Sequence, residues 1–532
     1  MTVRLDGESL TVADVVAVAR EGEAVAVTDD ARERVRAARE RVENVTASGE
    51  AVYGLNTGFG ELVDTQIPPD RIEELQLNLI RSHTAGAGRE LDPELVRAML
   101  LTRINSLVKG YSGVREVVVD HLVALLNERV HPVVLARGSL GASGDLAPLA
   151  HMSLVLVGEG EADVETTDGV ERLDGAAALS AAGLEPLTLR AKEGLALING
   201  TQLTLGAAAL LVDDAERLCR AADAAGALAT EVTMGTTAAC DPAIHELRPH
   251  AGQATSAATV RALAGDSEVV DSHRNCDRVQ DAYSIRCLPQ VHGAVRDAVA
   301  HLRQAVAVEL NSVTDNPLVF PREAVDDRAS GTDSAAVVSG GNFHGEPLAL
   351  RLDYLVGALT ELAAISERRT DRMLNPNLQE PHLPPFLADD SGVESGLMIA
   401  QYTAAGMLND CRSVGRAASD NTPVSGGQED HVSMSVTAAL DSRRVLDRVR
   451  TVLAVELLCG AEAAEYLDDD LVLGSGTAAV REAVREVVPP LERDRRLDGD
   501  IDAVESLVAS GLVDDAVTSA IGAWPERQSS DR

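Results

Sequence analysis

The chain has 532 residues, of which 45% are hydrophobic, so it can bury a large core and is long enough for roughly two to four domains. Lysine and arginine together number 47 against 84 aspartates and glutamates, which gives a formal net charge of −37. A surplus of that size repels nucleic acid and anionic membranes and argues against polyanionic partners.

Helical periodicity dominates the chain, and the best strand candidate is Ala24–Thr28 near the start. Asp92-Pro93-Glu94 predicts a helix start with a capping carboxylate, and the helix should run to Gly110. A second helix is predicted from about Val114 to Arg129. Long Ala/Leu/Val-rich stretches predict further helices at 203–227, 291–312, 347–368, 395–415 and 433–466. Together they predict a mainly α fold, in which the long helices form an elongated bundle.

The loops between these helices are rich in glycine, asparagine and proline, and we expect them to contain the functional residues. Aromatic residues make up only 2% of the chain, yet Tyr53, Phe59 and Phe343 lie in such loops. One aromatic side chain in a glycine loop is often a packing residue, so the prediction depends on the set. The main loops are Tyr53–Gly60, Gly138–Leu149, Asn199–Gln202, Asp315–Pro317, Gly340–Gly345 and Gly426–His431.

The tripeptide Ala142-Ser143-Gly144 can form an electrophile from its own backbone. If the amide nitrogen of Gly144 attacks the carbonyl carbon of Ala142, a five-membered ring closes with loss of water. Dehydration of Ser143 then leaves an exocyclic methylidene. Glycine suits the attacking position because it has no Cβ and adopts strained dihedral angles cheaply.

Other interpretations of this segment fit its residues less well. A Gly/Ser/Ala stretch is most often a flexible loop. A Walker loop would need Gly-Lys-Ser/Thr, a dinucleotide-binding turn would follow a strand that we do not predict here, and a nucleophile elbow would need glycine where Asp145 stands.

The acidic residues are dispersed along the chain, as in Glu161–Glu165 and Asp468–Asp470, and lysines are few. This pattern predicts a halophilic protein, although an acidic protein of an ordinary cytoplasm is the alternative. The six cysteines form no C-x-x-C pair, so neither a zinc site nor a disulfide framework is indicated. The start of the chain lacks a signal-peptide pattern and no long apolar run follows, so we expect a soluble, cytoplasmic protein.

The segment Gly138–Leu149 resembles the cofactor loop of the aromatic amino-acid ammonia-lyases. The resemblance covers about residues 50–480, with the motifs in the family's order. It implies a 4-methylidene-imidazole-5-one group formed from Ala142, Ser143 and Gly144, with no external cofactor. It assigns no metal-binding residues and leaves open whether a divalent metal takes part. It also implies a homotetramer whose active sites are shared between subunits. The family's fold implies a smaller N-terminal domain that carries the cofactor loop, 1–198, and a long helical-bundle domain, 199–532.

The resemblance also assigns roles to residues in the first half of the chain. Tyr53 matches the tyrosine proposed to remove the substrate's β-proton. The alternative is that Tyr53 is a buried residue that anchors its loop through a hydrogen-bonded hydroxyl. His83 matches a histidine of the substrate pocket, although a lone histidine near a helix end is more often a cap or a surface group. Asn199 matches the asparagine that donates a hydrogen bond to the cofactor oxygen as negative charge develops.

Three more matches recur at intervals of three, which would place them on one face of a helical turn: Gln280, Tyr283 and Arg286. Arg286 is the candidate clamp for the substrate carboxylate, Tyr283 a catalytic contact on the ammonia side of the cofactor, and Gln280 an orienting residue. An exposed helix with a salt-bridging arginine is the alternative. Phe343 would bound the pocket, and Asn342 beside it is expected to be structural.

Glu429 indicates the substrate within the family. Histidine-specific members are similar to Gln428–Met434 at this point, whereas enzymes for phenylalanine and tyrosine commonly lack the glutamate. A carboxylate can accept a hydrogen bond from an imidazole N–H, but facing a phenyl ring it would be desolvated without a partner. The resemblance therefore implies conversion of L-histidine to trans-urocanate and ammonia, the first step of histidine degradation.

Two alternatives remain: a tyrosine or phenylalanine ammonia-lyase or aminomutase with the same chemistry, and a helical scaffold protein without catalysis. Two segments give no support to any of them. Residues 409–420 depart from the family's pattern, and residues 493–532 carry no recognisable motif.

Overall fold

The computed structural model describes residues 2–48, 67–274, 276, 278–332, 335–419 and 422–525. Helices dominate these residues, so the prediction of a mainly α fold is confirmed. Within the described ranges, no helix combines the length and the apolar character that crossing a bilayer requires.

The helices that begin within the first 301 residues include one that is buried on nearly all sides, α4, in which Leu95 through Leu107 are all buried. In chain order they are α1 (Val12–Ala19), α2 (Asp29–Ser48), α3 (Ile72–His83), α4 (Pro93–Leu107), α5 (Glu116–Asn127), α6 (Leu146–Leu156), α7 (Gly175–Ala181), α8 (Glu193–Ile198), α9 (Gln202–Val232), α10 (Pro242–Glu246), α11 (Ala251–Ala264), α12 (Glu268–Ser272), α13 (Tyr283–Arg286) and α14 (Leu288–Glu309).

The later helices include two of 29 residues, α15 and α17. They are α15 (Glu346–Leu374), α16 (Met398–Arg412), α17 (Ser435–Ala463), α18 (Ser475–Val487), α19 (Asp498–Ser510) and α20 (Leu512–Ile521).

Each helix predicted from the periodicity is present, with its ends shifted by a few residues. The predicted helices correspond to α4, α5, α9, α14, α15, α16 and α17. The capping prediction at Asp92 is wrong, because its side chain makes no capping hydrogen bond and instead pairs with Arg89 at 3.4 Å. Pro93 does occupy the first turn, and Glu94 places a negative charge near the positive end of the helix dipole.

The strands are short and form four small sheets. In chain order they are β1 (Val3–Leu5), β2 (Val25–Val27), β3 (Ala87–Glu90), β4 (Val130–Pro132), β5 (Leu135–Arg137), β6 (Glu161–Thr166), β7 (Gly169–Asp174), β8 (Leu318–Pro321), β9 (Ser330–Thr332) and β10 (Ala335–Val338). The predicted strand near residue 26 is confirmed as β2, which pairs in parallel with β1. The other sheets are antiparallel, in the orders β3-β5, β4-β6-β7 and β8-β10-β9.

The expectation that no strand precedes Gly138 is wrong, because β5 ends at Arg137. This strand pairs antiparallel with β3, so it does not make the parallel strand-turn-helix unit of a dinucleotide-binding fold.

The chain divides into two compact units. Unit 1 comprises residues 1–213, 302–353 and 416–440, and it contains all the strands named above. Part of its core lies where Val42 and Val45 of α2 pack with Val319, Ala335 and Val337 of the β8-β10-β9 sheet. The buried residues of α2 recur every three or four positions, which turns one face of that helix toward the sheet.

Unit 2 comprises residues 214–301, 354–415 and 441–532, and its described elements are helical. Each unit is assembled from three stretches of chain, whereas the sequence suggested one cut near residue 198. That domain boundary stays a prediction.

Candidate active site

The loop that carries Ala142-Ser143-Gly144 leaves β5 and leads into α6, and several separate segments of unit 1 hydrogen-bond to it. Met434 N donates to Leu140 O at 2.7 Å, and Gly345 N donates to Gly141 O at 3.0 Å. The Ser433 hydroxyl also donates to Gly141 O, at 3.1 Å. The loop is therefore a fixed part of unit 1, as pre-organised chemistry requires.

Gly144 is a position where only glycine is tolerated. Its φ of +80° is in the left-handed region, and a Cβ there would lie 2.2 Å from Gly200 O. Gly200 also accepts a hydrogen bond from Asp145 N at 2.6 Å, so the backbones of the two loops are in direct contact. This geometry supports the prediction from the sequence that position 144 needs a glycine, which has no Cβ and tolerates a strained backbone.

Asn199 lies directly after α8 and reaches the centre of the tripeptide. Its side-chain nitrogen donates to the backbone oxygen of Ser143 at 2.7 Å, and the residue is only 4% exposed. Its Oδ1 is buried and has no hydrogen-bond partner among the described residues. The Asn199 amide is thus an oriented donor aimed at one particular carbonyl oxygen.

Glu429 reaches the side chain of Ser143 from a loop that follows a turn at Ser425–Gly427. The Ser143 hydroxyl donates to Glu429 Oε1 at 2.6 Å, and the Ser425 hydroxyl donates to Oε2 at 2.8 Å. These residues are 286 positions apart in the chain, and the fold brings Glu429 beside the Cβ of Ser143.

His83 is the last residue of α3 and belongs to the same unit. Its Nδ1 is 2.9 Å from Leu79 O, which fixes a tautomer with the proton on Nδ1 and the lone pair on Nε2. Burial lowers the pKa of His83, and the Leu79 carbonyl and the negative charge of Glu429 partly offset this. At neutral pH His83 is an uncharged imidazole that feels the field of Glu429.

Asp145 directly follows the tripeptide and is fully buried, which the sequence analysis did not single out. Its carboxylate accepts hydrogen bonds from Thr204 N at 2.8 Å, Thr204 Oγ1 at 3.1 Å and Ser139 Oγ at 3.3 Å. Desolvation nevertheless raises the pKa of Asp145 to about 6. The signal in the sequence was an acidic residue inside an otherwise small and apolar motif.

Arg103 is a second buried group that the sequence analysis missed. It lies on α4 with no exposed surface, and its Nη1 donates to Asn199 O at 3.0 Å and to Gln202 Oε1 at 2.9 Å. Its Nε and Nη2 have no hydrogen-bond partner among the described residues. Burial lowers the pKa of Arg103 to about 10, so the side chain is still charged at neutral pH. An arginine close to Leu100, Leu101 and Ile104 in a helix was the signal available in the sequence.

Gln280, Tyr283 and Arg286 belong to unit 2. The prediction that the three share a helical turn is wrong for Gln280, because α13 begins only at Tyr283. Tyr283 and Arg286 do lie on one turn, and the guanidinium carbon of Arg286 is 5.1 Å from the centre of the Tyr283 ring. Tyr283 is 70% exposed, so this turn presents a cation and a phenol at the surface of unit 2.

Charged side chains of unit 2 fix the backbone of this segment. Arg278 donates to Thr233 O at 3.2 Å and Met234 O at 3.1 Å, and it pairs with Asp281 at 3.2 Å. The buried Arg369 donates to Ser284 O at 3.4 Å. The orientation of the exposed turn thus depends on buried ionic contacts.

Two other predicted site residues complete the account. Tyr53 lies outside the described residues. Phe343 is half-buried in unit 1, in the turn before α15. Asn342 beside it donates to Val313 O at 3.1 Å, which is consistent with the structural role expected for it.

The geometry of unit 1 thus combines a loop of small residues, a glycine in close backbone contact, a buried amide donor on the Ser143 carbonyl and a carboxylate at the Ser143 side chain. The sequence profile of the aromatic amino acid lyase family matches residues 10–486, and the chain belongs to this family.

Individual relatives are similar over nearly the whole length. The chain is 65% identical to a probable histidine ammonia-lyase of Halobacterium salinarum, with 98% of each chain covered. Its fold is similar to the crystal structure of histidine ammonia-lyase from Trypanosoma cruzi, with a TM-score of 0.88, 40% identity and coverage of 98% and 96%. It is equally similar to tyrosine aminomutase from Streptomyces globisporus, with a TM-score of 0.90, 36% identity and coverage of 99% and 100%. The fold therefore does not separate the substrates of these enzymes, and specificity has to be argued from side chains.

Proposed function

We propose that this protein is a histidine ammonia-lyase, which removes ammonia from L-histidine without oxidation and releases trans-urocanate. The observation that carries the proposal is the placement of two side chains at Ser143: Asn199 Nδ2 is 2.7 Å from its carbonyl oxygen and Glu429 Oε1 is 2.6 Å from its hydroxyl. The full-length similarity to enzymes named histidine ammonia-lyase supports the same assignment.

The residues of the tripeptide suit a self-formed 4-methylidene-imidazole-5-one group. Gly144 has the positive φ and the absence of a Cβ that ring closure at its nitrogen needs, and Gly200 packs against it. The buried Asn199 amide points at the Ser143 oxygen, which would become the carbonyl oxygen of the imidazolone ring. Once formed, the group supplies an electrophilic carbon that captures the substrate amine and turns it into a leaving group.

The chain's own side chains then have separate tasks. Asn199 donates to the oxygen on which negative charge develops, and this donor is already in place before the reaction. Glu429 lies at the Ser143 side chain, within reach of the ring of an amino acid held there, and can accept the imidazole N–H. A phenyl or phenol ring would leave this carboxylate desolvated, which favours histidine over the aromatic substrates of sister enzymes.

The other roles rest on the family resemblance. Tyr53 is proposed as the base for the β-proton, Tyr283 as a second catalytic phenol, Arg286 as the carboxylate clamp and Gln280 as its orienting partner. His83 and Phe343 would bound the pocket. The uncharged state of His83 supports its role, because a neutral imidazole can accept a hydrogen bond from the substrate.

One pair of measurements tests the function. The purified protein is supplied with histidine, tyrosine or phenylalanine, and the unsaturated product is followed by its ultraviolet absorbance while intact mass is recorded. We expect turnover with histidine and a chain lighter than its translated mass by two waters, about 36 Da. Ser143→Ala should show the unprocessed mass and no turnover. Turnover of tyrosine or phenylalanine but not histidine would make the protein a tyrosine or phenylalanine ammonia-lyase or aminomutase. A folded wild-type protein with its full translated mass would leave only the hypothesis of a scaffold protein without catalysis.

The oligomeric state, cellular location and salt requirement of the enzyme are proposed on observations independent of the active site. Exposed apolar side chains such as Leu247 at 89% and Val279 at 93% support burial against other subunits, in line with a homotetramer. All six cysteines are unpaired, which supports a cytoplasmic location. The net charge of −37 and the similarity to a Halobacterium protein support a halophilic enzyme.

Two measurements test the oligomeric state and the salt requirement. Light scattering in molar potassium chloride should give four times the chain mass. Activity should fall on dilution into low salt, because the acidic surface then repels itself. Full activity in dilute buffer would count against the halophilic assignment.

A further inference from the structure

Three metal-binding side chains of unit 1 lie together beside the cofactor loop, and the proposed reaction does not use them. They are His344, Glu346 and His431, and each offers one ligand atom within 4.8 Å of the other two. The imidazole rings of His344 and His431 are stacked nearly parallel, with centroids 5.6 Å apart and an angle of 3° between the planes. The three residues come from two separate stretches of chain that the fold brings together.

The hydrogen bonds of His344 select the tautomer of a metal-binding histidine. Its Nε2 is 3.2 Å from the carbonyl oxygen of His431, which can only accept, so the proton is on Nε2. The lone pair is then on Nδ1, which accepts a long hydrogen bond of 3.4 Å from the Glu346 backbone N–H that a metal ion would replace. A ring N–H donated to a backbone carbonyl, with the other nitrogen left to coordinate, is the usual second interaction of a histidine ligand.

Glu346 supplies a carboxylate oxygen that needs a cation or a donor. Its Oε2 is buried and has no hydrogen-bond partner among the described residues. The neighbouring Glu429 differs, since both of its oxygens accept hydrogen bonds from serine hydroxyls. An unsatisfied buried carboxylate oxygen is costly, and a bound cation would remove that cost.

We propose that His344 Nδ1, a carboxylate oxygen of Glu346 and a ring nitrogen of His431 bind one divalent transition-metal ion of the Zn²⁺ or Co²⁺ class. Two imidazoles and one carboxylate match the ligand preferences of these ions, whereas Mg²⁺ and Ca²⁺ prefer oxygen ligands throughout. Neighbouring ligand atoms around a tetrahedral ion are roughly 3.4 Å apart, so ligand atoms that lie within 4.8 Å of one another need to close by up to about 1.4 Å. Because the two imidazole rings are nearly parallel, their in-plane lone pairs do not converge, so the exposed His431 side chain has to rotate to direct a ring nitrogen at the ion.

The position of the site gives the ion a role in arranging the active site. Gly345, between two of the ligands, donates to Gly141 O, and Met434, three residues after His431, donates to Leu140 O. Glu429 is two residues before His431. A metal ion would therefore cross-link the two loops that contact the cofactor loop and would restrict the loop that carries Glu429.

The test uses the full-length protein, stripped with a chelator and dialysed into metal-free potassium chloride buffer, with Co²⁺ alone as the probe. We expect one Co²⁺ per chain by calorimetric titration, a visible spectrum of low-coordinate cobalt, and a higher Tm on binding. His344→Gln, Glu346→Gln and His431→Gln should each lower the affinity at least tenfold. Zn²⁺ should displace the cobalt and abolish the visible spectrum.

Two control variants make the result decisive. His250→Gln removes an exposed histidine of unit 2 and should bind Co²⁺ like the wild type. Ser143→Ala should also bind normally, so this proposal can succeed or fail independently of the proposed catalysis. The proposal is wrong if wild type and all three ligand variants bind Co²⁺ with the same affinity, or if the wild type shows no saturable binding.

Discussion

Replacement of Asn199 by alanine is the substitution whose effect the structure specifies best. The change removes the amide that donates to the Ser143 oxygen at 2.7 Å, and the site is too buried for bulk water to replace it. Loss of one such pre-organised donor typically lowers kcat by about 10²–10³, or about 2.7–4 kcal/mol of transition-state stabilisation. The loss should appear mainly in kcat, because the bond matters most when the oxygen carries negative charge.

The assay measures kcat and KM for histidine and divides kcat by the fraction of chains that have lost two waters in the intact mass. This division separates slow chemistry from incomplete maturation. Asn127→Ala is the matched control, since Asn127 makes similarly short hydrogen bonds to Val25, and these two residues lie at the end of α5 and the start of β2, outside the cofactor loop. It should lower Tm and leave kcat unchanged. A fully matured Asn199→Ala enzyme with kcat within about threefold of wild type would refute the reasoning.

Three further predictions follow from the site. Glu429→Gln should lower kcat/KM for histidine while intact mass still shows dehydration, because the amide is a weaker acceptor for the imidazole N–H; unchanged kinetics would remove Glu429 from substrate binding. Arg286→Lys should raise KM and lower kcat, since lysine cannot form a bidentate pair with the carboxylate, and wild-type constants would place the clamp elsewhere. Asp145 binds its proton more tightly in the folded chain, with a pKa of about 6 against an ordinary 3.8, so its contribution is present below pH 3.8 and lost as pH rises to 6. The free energy of unfolding of wild type relative to Asp145→Asn should therefore fall by up to about 3 kcal/mol between these pH values in denaturant titrations, and a flat difference would contradict it.

The helices could be predicted from the sequence because their signal is local. In α5 the buried residues Val118, Leu122 and Leu125 repeat with the helical period, and in α9 a long run without helix breakers gives both the type and the approximate length of the element. Short strands carry too few residues for such a pattern. The three residues of β5 and the four of β10 are strands because of the partners that the fold supplies: β3 for β5, and β8 and β9 on either side of β10.

The candidate site was predictable only in part, for the same reason. Ser143 was found from the chemistry of the tripeptide, and Asn199 and Glu429 were found through the family resemblance. No pattern in the chain by itself states that residues 143 and 429 are in contact. Gln280 was placed on a helix by its spacing alone, although the local turn begins three residues later. Arg103 was missed because a buried charge depends on the backbone carbonyl and the amide that the fold brings to it.

The buried charge of Arg103 gives a physical reason why Asn199 is so strictly oriented. A fully buried guanidinium has a large desolvation cost, and two of its nitrogens have no hydrogen-bond partner among the described residues, so this arginine is a poor choice for stability alone. Its Nη1 bonds to the backbone carbonyl of the same residue whose side chain donates to the Ser143 oxygen. The Arg103 guanidinium therefore holds the backbone of Asn199, whose side chain is the donor. It also adds positive potential near the Ser143 oxygen, where negative charge develops. Because both effects act on the charge that forms in the reaction, the cost of burying Arg103 is better explained by catalysis than by folding.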